Sequence, residues 1–370
     1  MTSDPNIAKH SDERVRRVSL INKTLNRPEL GSVSGAILVF IFFAILAGDS
    51  GMFNADGILN WTTVSAQLGI IAIGACLLMI AGEFDLSIGS MIGFAGMMIA
   101  IPSLYWDWPV WSSILFAFAG SMSIGALIGY LVVRTGLPSF IVSLAFLFIL
   151  RGLTIALSIL FTNKTIVSGV AEVAEGDLLA QAFGGQIGTG LFQWLGANGW
   201  IETYADGDPI VSGIPMVVVW WGLLAITCSF MLLRTRFGNW IFATGGDDKA
   251  AKNVGVPTDR VKIMLFMFTA FCATVFAACQ VLEFGSAAAD RGLLKEFEAI
   301  IAAVIGGALL TGGYGSVIGA CFGALIFGVV QMGIFFTGID SDWFRVFLGV
   351  MLLIAVLFNN FIRQRVTGSR

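Results

Sequence analysis

The sequence predicts an all-α polytopic membrane protein of about ten transmembrane helices with a parallel internal repeat. Three observations carry that prediction. The chain is 57% hydrophobic and only 12% charged, with a mean hydropathy of +0.87, whereas a soluble domain has about 25% charged residues. Apolar runs long enough to cross a bilayer recur along the whole length. The loops between them follow the charge rule at nearly every turn, with Lys and Arg concentrated in the N-terminal segment, at 134, over 234–262 and in the tail.

Residues 1–32 are polar and hold Lys9, Arg14, Arg16, Arg17, Lys23 and Arg27 just before the first apolar run. They are expected as a cytoplasmic N-terminal segment ahead of a transmembrane domain over 33–362, with no cleavable signal peptide because that first run continues as a full span. Span 1 begins at 33 and exits near 48 into GDSGMFNADG, which has Asp49 and Asp56 and no basic residue. Span 2 (62–81) returns inside and ends in GEFDLSIGS, which places Glu83 and Asp85 at or near membrane depth before span 3 (88–104). Trp106, Trp108 and Trp111 then read as an interfacial belt.

Span 4 (110–133) meets Arg134 on the inside. Span 5 opens at Pro138, where a first-turn proline is tolerated, and runs to about 160. It carries Arg151, roughly 20 Å of helix rise beyond Pro138, which cannot face lipid cheaply. Segment 161–213 sets Glu172, Glu175, Asp177, Glu202, Asp206 and Asp208 against the single Lys164. It is expected as a periplasmic insertion, a small cap with a weakly amphipathic helix. Span 6 (214–233), span 7 (263–282), an unusually short span 8 (297–310), span 9 (317–337) and span 10 (343–361) follow, then a cytoplasmic tail (363–370) with Arg363, Arg365 and Arg370.

Between spans 6 and 7 lies the polar loop 234–262, with Arg234, Arg236, Lys249, Lys252, Arg260 and Lys262. Loops this basic stay on the cytoplasmic side. Its centre, GGDDKAAKNVGVP, reads as one short helix: Gly245 and Gly246 break the incoming chain, Asp247 and Asp248 suit a helix start, Lys249, Ala250, Ala251 and Lys252 propagate it, and Gly255 and Pro257 stop it. Two readings are open, a handle pushed by a soluble partner and a plain solvated connector.

The repeat aligns 82–93 (GEFDLSIGSMIG) with 312–323 (GGYGSVIGACFG), superposing Gly82 on Gly312, Gly89 on Gly319 and Gly93 on Gly323. Both copies sit where one span arrives inside and the next leaves, so the repeat is expected to be parallel, about an axis along the membrane normal. Small residues four apart let helices approach closely, so each copy reads as a tightly packed inner corner, with Gly313 beside Gly312 in the second.

Glu83 and Asp85, with Ser87 beside them, have three open roles: lining a polar path, capping span 3, or binding a coupling cation. Arg151 is expected to pair with one of them or to face a polar substrate. Gln67, Gln280 and Gln331, with Asn60, are further polar groups in or beside spans. Other chemistry is excluded. His10 is the only histidine and lies in the N-terminal tail, so no intramembrane histidine metal centre or His-based nucleophile exists. Cys76, Cys228, Cys272, Cys279 and Cys321 fall in apolar runs without metal-ligand spacing. No Gly-Lys dipeptide occurs, hence no GxxxxGK[ST] phosphate loop. The basic residues sit in short loops, so no face would hold a nucleic acid. No cofactor and no enzymatic activity are expected.

Four stretches, AGEFDLSIGSMIGFAG, LPSFIVSLAFLFILRG, FATGGDDKAAKNVGV and AAVIGGALLTGGYGSVIGA, together resemble the membrane permease subunits of bacterial ABC importers for monosaccharides, the ribose/xylose/fructose group. The resemblance covers the chain from span 2 to span 10. It implies a homodimeric pore in the inner-membrane lipid, two cytoplasmic ATP-binding subunits and a periplasmic sugar-binding protein, with 245–255 as the helix that couples to the ATPase. That family usually has a neutral residue in place of Glu83 and a shorter segment than 161–213. Related permeases carry branched-chain amino acids or nucleosides. An ion-coupled secondary transporter using Glu83, Asp85 and Arg151 as its relay, and a membrane scaffold docking partners on the acidic segment, are the competing readings.

Overall fold

The computed structural model describes residues 28–340, 342–351, 353 and 357. The expected N-terminal segment up to residue 27, most of span 10 beyond Met351 and the tail 363–370 lie outside the described residues. The fold is overwhelmingly helical. Among the described residues, seven helices are long and apolar enough to cross a membrane, which makes this a multi-pass membrane protein. In chain order, α1 is Pro28–Leu46, α2 Ala55–Ile80, α3 Ile88–Tyr105, α4 Val110–Thr135 and α5 Ser139–Thr162. After the acidic segment come α9 (Met216–Arg234), α12 (Thr258–Phe284) and α14 (Val317–Phe336). The first of these, α1, is apolar only over Gly31–Leu46 and falls short of the other seven.

Two expectations need correction. Span 8 is a half-length helix, α13 (Lys295–Ile305, 11 residues), whose rise of about 16 Å is roughly half the hydrocarbon thickness. It stops because Gly306 ends it and Gly307, at φ 92°, turns the chain. Irregular backbone precedes α13, and it is tolerated at membrane depth only when buried in protein. Here Ala287, Ala288 and Ala289 are all buried, and Gly93 of α3 is bare enough that a Cβ there would lie 2.8 Å from the Ala289 carbonyl oxygen. Among the described residues the count of ten spans is therefore not confirmed. Likewise, the short helix expected at the centre of the basic loop is α11 (Asp248–Asn253), but Gly245 and Gly246, read as breaking the chain, end a further helix, α10 (Arg236–Gly246).

The bundle is built around α2, α3 and α12. Some 83% of the apolar window of α2 is buried inside the chain, against 22% for α9. α12 packs on α4, α3 and α2, and α14 packs on α2. Lipid tails are as apolar as these side chains, so close approach decides which faces meet. On α4, Gly125 supplies it: a Cβ there would sit 2.5 Å from the Phe266 carbonyl oxygen of α12. The outward faces carry Ile45, Phe148, Leu160, Ile226 and Phe230, all exposed, the surface that suits lipid.

The acidic segment folds against one end of the bundle. Strand β1 (Ile166–Ser168) pairs antiparallel with β4 (Ser286–Ala288), which continues from α12. Short helices α6 (Val170–Val173), α7 (Leu178–Gly184) and α8 (Thr189–Ala197) follow, and β2 (Gln186–Ile187) pairs with β3 (Ile214–Pro215). Asp177 caps α7 by accepting from Leu179 N and Ala180 N, and it also accepts from Trp111 N at 2.8 Å. Phe183 stacks on Trp220 of α9, ring centroids 5.0 Å apart. The basic segment lies at the opposite end, against the corners 80–84 and 306–316.

Candidate functional site

The site is assembled from the segment 234–262. Thr235 opens α10 by accepting from Gly238 N, and Gly238, Ile241 and Thr244, three residues apart, form its buried face. Asp247 closes the break between the helices: its carboxylate accepts from Ala250 N at 3.0 Å and so caps α11. Gly255, at φ 89°, turns the chain after α11. Only Ala251 of α11 is buried. Gly246, Asp247, Lys249, Ala250 and Gly255 are exposed, and Val254 is 80% exposed, an apolar tip ringed by charge.

A chain of ion pairs ties this segment to the bundle. Lys262 Nζ on α12 lies 2.7 Å from Glu83 Oε1 in the corner after α2, and 3.7 Å from Asp248 Oδ1. Lys252 continues the chain, 3.6 Å from Asp248 and 2.6 Å from Asp259. Burial alone would push the Asp248 carboxyl up; the Thr258 hydroxyl beside it, with Lys262 and Lys252, reverses that and holds it below its ordinary value. Lys252 is held above its ordinary value, chiefly by its hydrogen bond to Asp259. Both therefore stay charged at neutral pH.

The glycines of the segment and of the two corners meet backbone to backbone. Gly313 N donates to Ile80 O at 2.8 Å, joining the second corner to the first. Gly82 and Gly312, the aligned pair, both have left-handed backbones, φ 85° and 80°. A Cβ on Gly312 would lie 2.9 Å from Gly82 Cα and 2.8 Å from Gly245 O. One on Gly245 would overlap Ile80 O and approach Gly313 N to 2.6 Å.

Asp85 lies deeper. It is 5% exposed; Oδ1 accepts from Ser87 N (2.8 Å) and Ser87 Oγ (2.6 Å), and Oδ2 accepts from Thr269 Oγ1 of α12 (2.6 Å). Arg151, expected to pair with Glu83 or Asp85, pairs with neither, and among the described residues it makes no ion pair within 4.0 Å. Its field falls instead on Glu296 in the first turn of α13. Gln280 donates to Gln67 Oε1 at 3.3 Å across α12 and α2. Gln331, on α14, is half-buried and makes no part of that pair. Sequence reasoning missed Lys262 as the partner of Glu83, and missed Glu296, 2% exposed, whose carboxylate reaches the bare side of Gly89. The one signal for Glu296 was a carboxylate next to the apolar run 297–310. Among the described residues no cluster of His, Cys, Asp and Glu could hold a metal ion.

The apolar helices long enough to cross a membrane, with a capped and exposed short helix at one end of the bundle, define a multi-pass membrane protein, and similarity to known proteins gives its class. The chain belongs to the branched-chain amino acid transport system / permease component family, whose pattern it matches over residues 57–356. Over 375 residues it is 29% identical to the xylose transport system permease protein XylH of Escherichia coli (strain K12), covering 93% of this chain and 94% of that one. It is also 29% identical to the ribose import permease protein RbsC of that strain, over 329 residues covering 88% and 92% of the two chains. With the inner membrane ABC transporter permease protein YjfF of the same strain it shares 29% identity over 334 residues, covering 90% and 91%. No solved structure matches it.

Proposed function

We propose that this chain is the transmembrane permease subunit of an ATP-binding-cassette importer, in the inner membrane, that passes a monosaccharide or related polyol. It works as a homodimer with cytoplasmic ATP-binding subunits at the basic end and a periplasmic sugar-binding protein at the acidic end, with both termini cytoplasmic. The observation that carries this reading is the exposed α11 surface, Gly246 to Gly255, held to the bundle by ion pairs and glycine backbones. A solvated connector needs no such anchoring, whereas a part that transmits force does. The sugar class is supported by the names of XylH and RbsC, and Asp85, Ser87, Arg151, Gln280 and Gln331 are the polar groups proposed to line or pack the path. An ion-coupled relay is less well supported. Glu83 is neutralised by Lys262, and both Asp85 oxygens are already hydrogen-bonded.

The test is copurification in mild detergent. An ATP-hydrolysing subunit should accompany the chain, together with a soluble partner that binds D-xylose, D-ribose or D-fructose. Gly246→Trp, whose side chain would project into open space where the ATPase docks, should leave the protein inserted and abolish ATP-driven uptake. Uptake into vesicles on an ion gradient alone would overturn the reading; a soluble partner that binds leucine and no sugar would overturn the substrate class.

A further inference from the structure

We infer that displacement of α11 reaches the bundle through a glycine joint formed by Gly82, Gly245, Gly312 and Gly313, so that the α2–α3 corner and the α13–α14 corner move together with the handle. This rests on the coupling role proposed above and extends it beyond α9 and α12, the two helices to which the segment is covalently attached. Three separate stretches of chain meet at the joint with no side chain between them. Gly245 faces Ile80 O and Gly313 N, Gly312 faces Gly82 Cα and Gly245 O, and Gly313 faces Gly246 Cα, 3.1 Å from where its Cβ would be. The Gly313 N to Ile80 O hydrogen bond closes the two corners on each other. The Glu83–Lys262 pair closes the same corner onto α12.

The absence of side chains has a mechanical consequence. A side chain between two elements adds torsions that settle in several staggered wells, and rotamer changes absorb small displacements. Backbone in contact with backbone has no such slack, and packed interfaces shift between discrete arrangements instead of deforming continuously. A push on α11 is therefore delivered through Gly245 to Ile80 at the end of α2, and through Gly312 and Gly313 to the turn that feeds α14. The thiol of Cys76, one turn before Ile80, donates to Ser316 O at the start of α14 at 3.5 Å and is buried. It spans the seam that the joint would open.

That thiol provides the measurement, and Gly222 on α9, outside both the joint and the exposed α11 surface, provides a control, because a Cβ on Gly222 meets nothing within 4 Å. The complex with its ATP-binding subunits is reconstituted in lipid. Labelling of Cys76 by a membrane-permeant maleimide is followed by peptide mass spectrometry, with and without ATP and vanadate. Modification of a buried thiol tracks the opening of its surroundings, so nucleotide should change the rate about threefold or more in wild type and in Gly222→Ala. In Gly245→Ala that response should vanish while ATP hydrolysis continues. If Gly245→Ala fails to assemble, the milder Gly313→Ala takes its place with the same expectation. The inference is overturned if nucleotide leaves Cys76 labelling unchanged in wild type, if the glycine variants respond as wild type does, or if hydrolysis and response fall in equal proportion. Absence of any ATP-binding subunit would instead refute the proposed function itself.

Discussion

Lys262 is the cation on which two carboxylates depend, and its removal should cost more than the removal of either partner. Its ammonium sits 2.7 Å from Glu83 and 3.7 Å from Asp248, with side-chain exposures of 15% for Lys262 and 13% for Glu83. Breaking a fully buried pair by deleting one member costs about 3–5 kcal/mol; the residual exposure lets water screen part of it, leaving about 2–3 kcal/mol for Lys262→Met. Glu83→Gln leaves the ammonium beside Asp248, which is itself one-third exposed, so about 1 kcal/mol is lost. The double variant should fall near 2 kcal/mol, below the sum of the single losses, because the second change removes a group the first has already orphaned. The assay is the thermal midpoint of monodisperse protein in detergent with added lipid, where 1 kcal/mol corresponds to about 1–2 °C for a chain of this length. Lys262→Met should lower the midpoint by about 3–5 °C and Glu83→Gln by about 1–2 °C. Equal losses from the two single variants, or strict additivity in the double, would refute the shared-cation argument.

Asp85→Ala strands the buried Ser87 amide and should cost about 2–3 kcal/mol, whereas Asp85→Asn keeps an acceptor and should cost less than half as much; equal midpoints for the two would show that the carboxylate is not what holds the turn ahead of α3. Asp248 has a depressed folded pKa, so its stabilising contribution is complete above its unfolded value of 3.8 and is lost only as pH falls through the lower folded value. Lys252, raised above 10.5, contributes fully below that value and loses its contribution as pH rises through the higher folded one. ATP-driven activity should thus show no step from either group between pH 5 and 8, and a step in that window abolished by Asp248→Asn would contradict the network. Asp177→Ala removes the cap of α7 and the tie to Trp111 and should lower the thermal midpoint by an amount equivalent to about 1–2 kcal/mol, whereas Asp177→Asn, which keeps an acceptor, should lower it by less than half of that.

Much of the fold could be read directly, for reasons particular to each element. The runs that became α2, α3, α4, α5, α9, α12 and α14 are long, apolar and bounded by charge or proline, and a bilayer leaves such runs few alternatives to a helix. The half-helix α13 was read too long because an apolar run says nothing about where glycine doublets will turn the chain, although Gly306–Gly307 and Gly312–Gly313 marked both sides of that turn. Helix α10 was missed because Arg234, Arg236 and Gly238 make its start look like loop; its signal was the spacing of Gly238, Ile241 and Thr244. The corners were legible as glycine patterns, but that they touch the basic segment was not, since Gly82, Gly245 and Gly312 come from three distant stretches. Lys262 as partner of Glu83 is hidden for the same reason, and the nearer guess, Arg151, fails because α5 meets α3 while Lys262 enters from α12.

The two ends of this molecule are not independent, because one helix belongs to both. α12 begins beside the ion-paired handle, where Lys262 holds Glu83 and Asp248, and ends in β4, which pairs with β1 of the acidic segment. Its 27 residues give about 40 Å of continuous hydrogen-bonded rise, and its middle is fixed to α4 by glycine contacts and to the α3 turn by Thr269 on Asp85. A helix so held transmits axial and tilting motion but resists bending. Binding at the acidic end and binding at the basic end are then coupled through the same element. By linkage such coupling is reciprocal: if, as proposed, a soluble protein docks at the acidic end and an ATPase on α11, whatever factor the one contributes to the affinity of the other is returned in full.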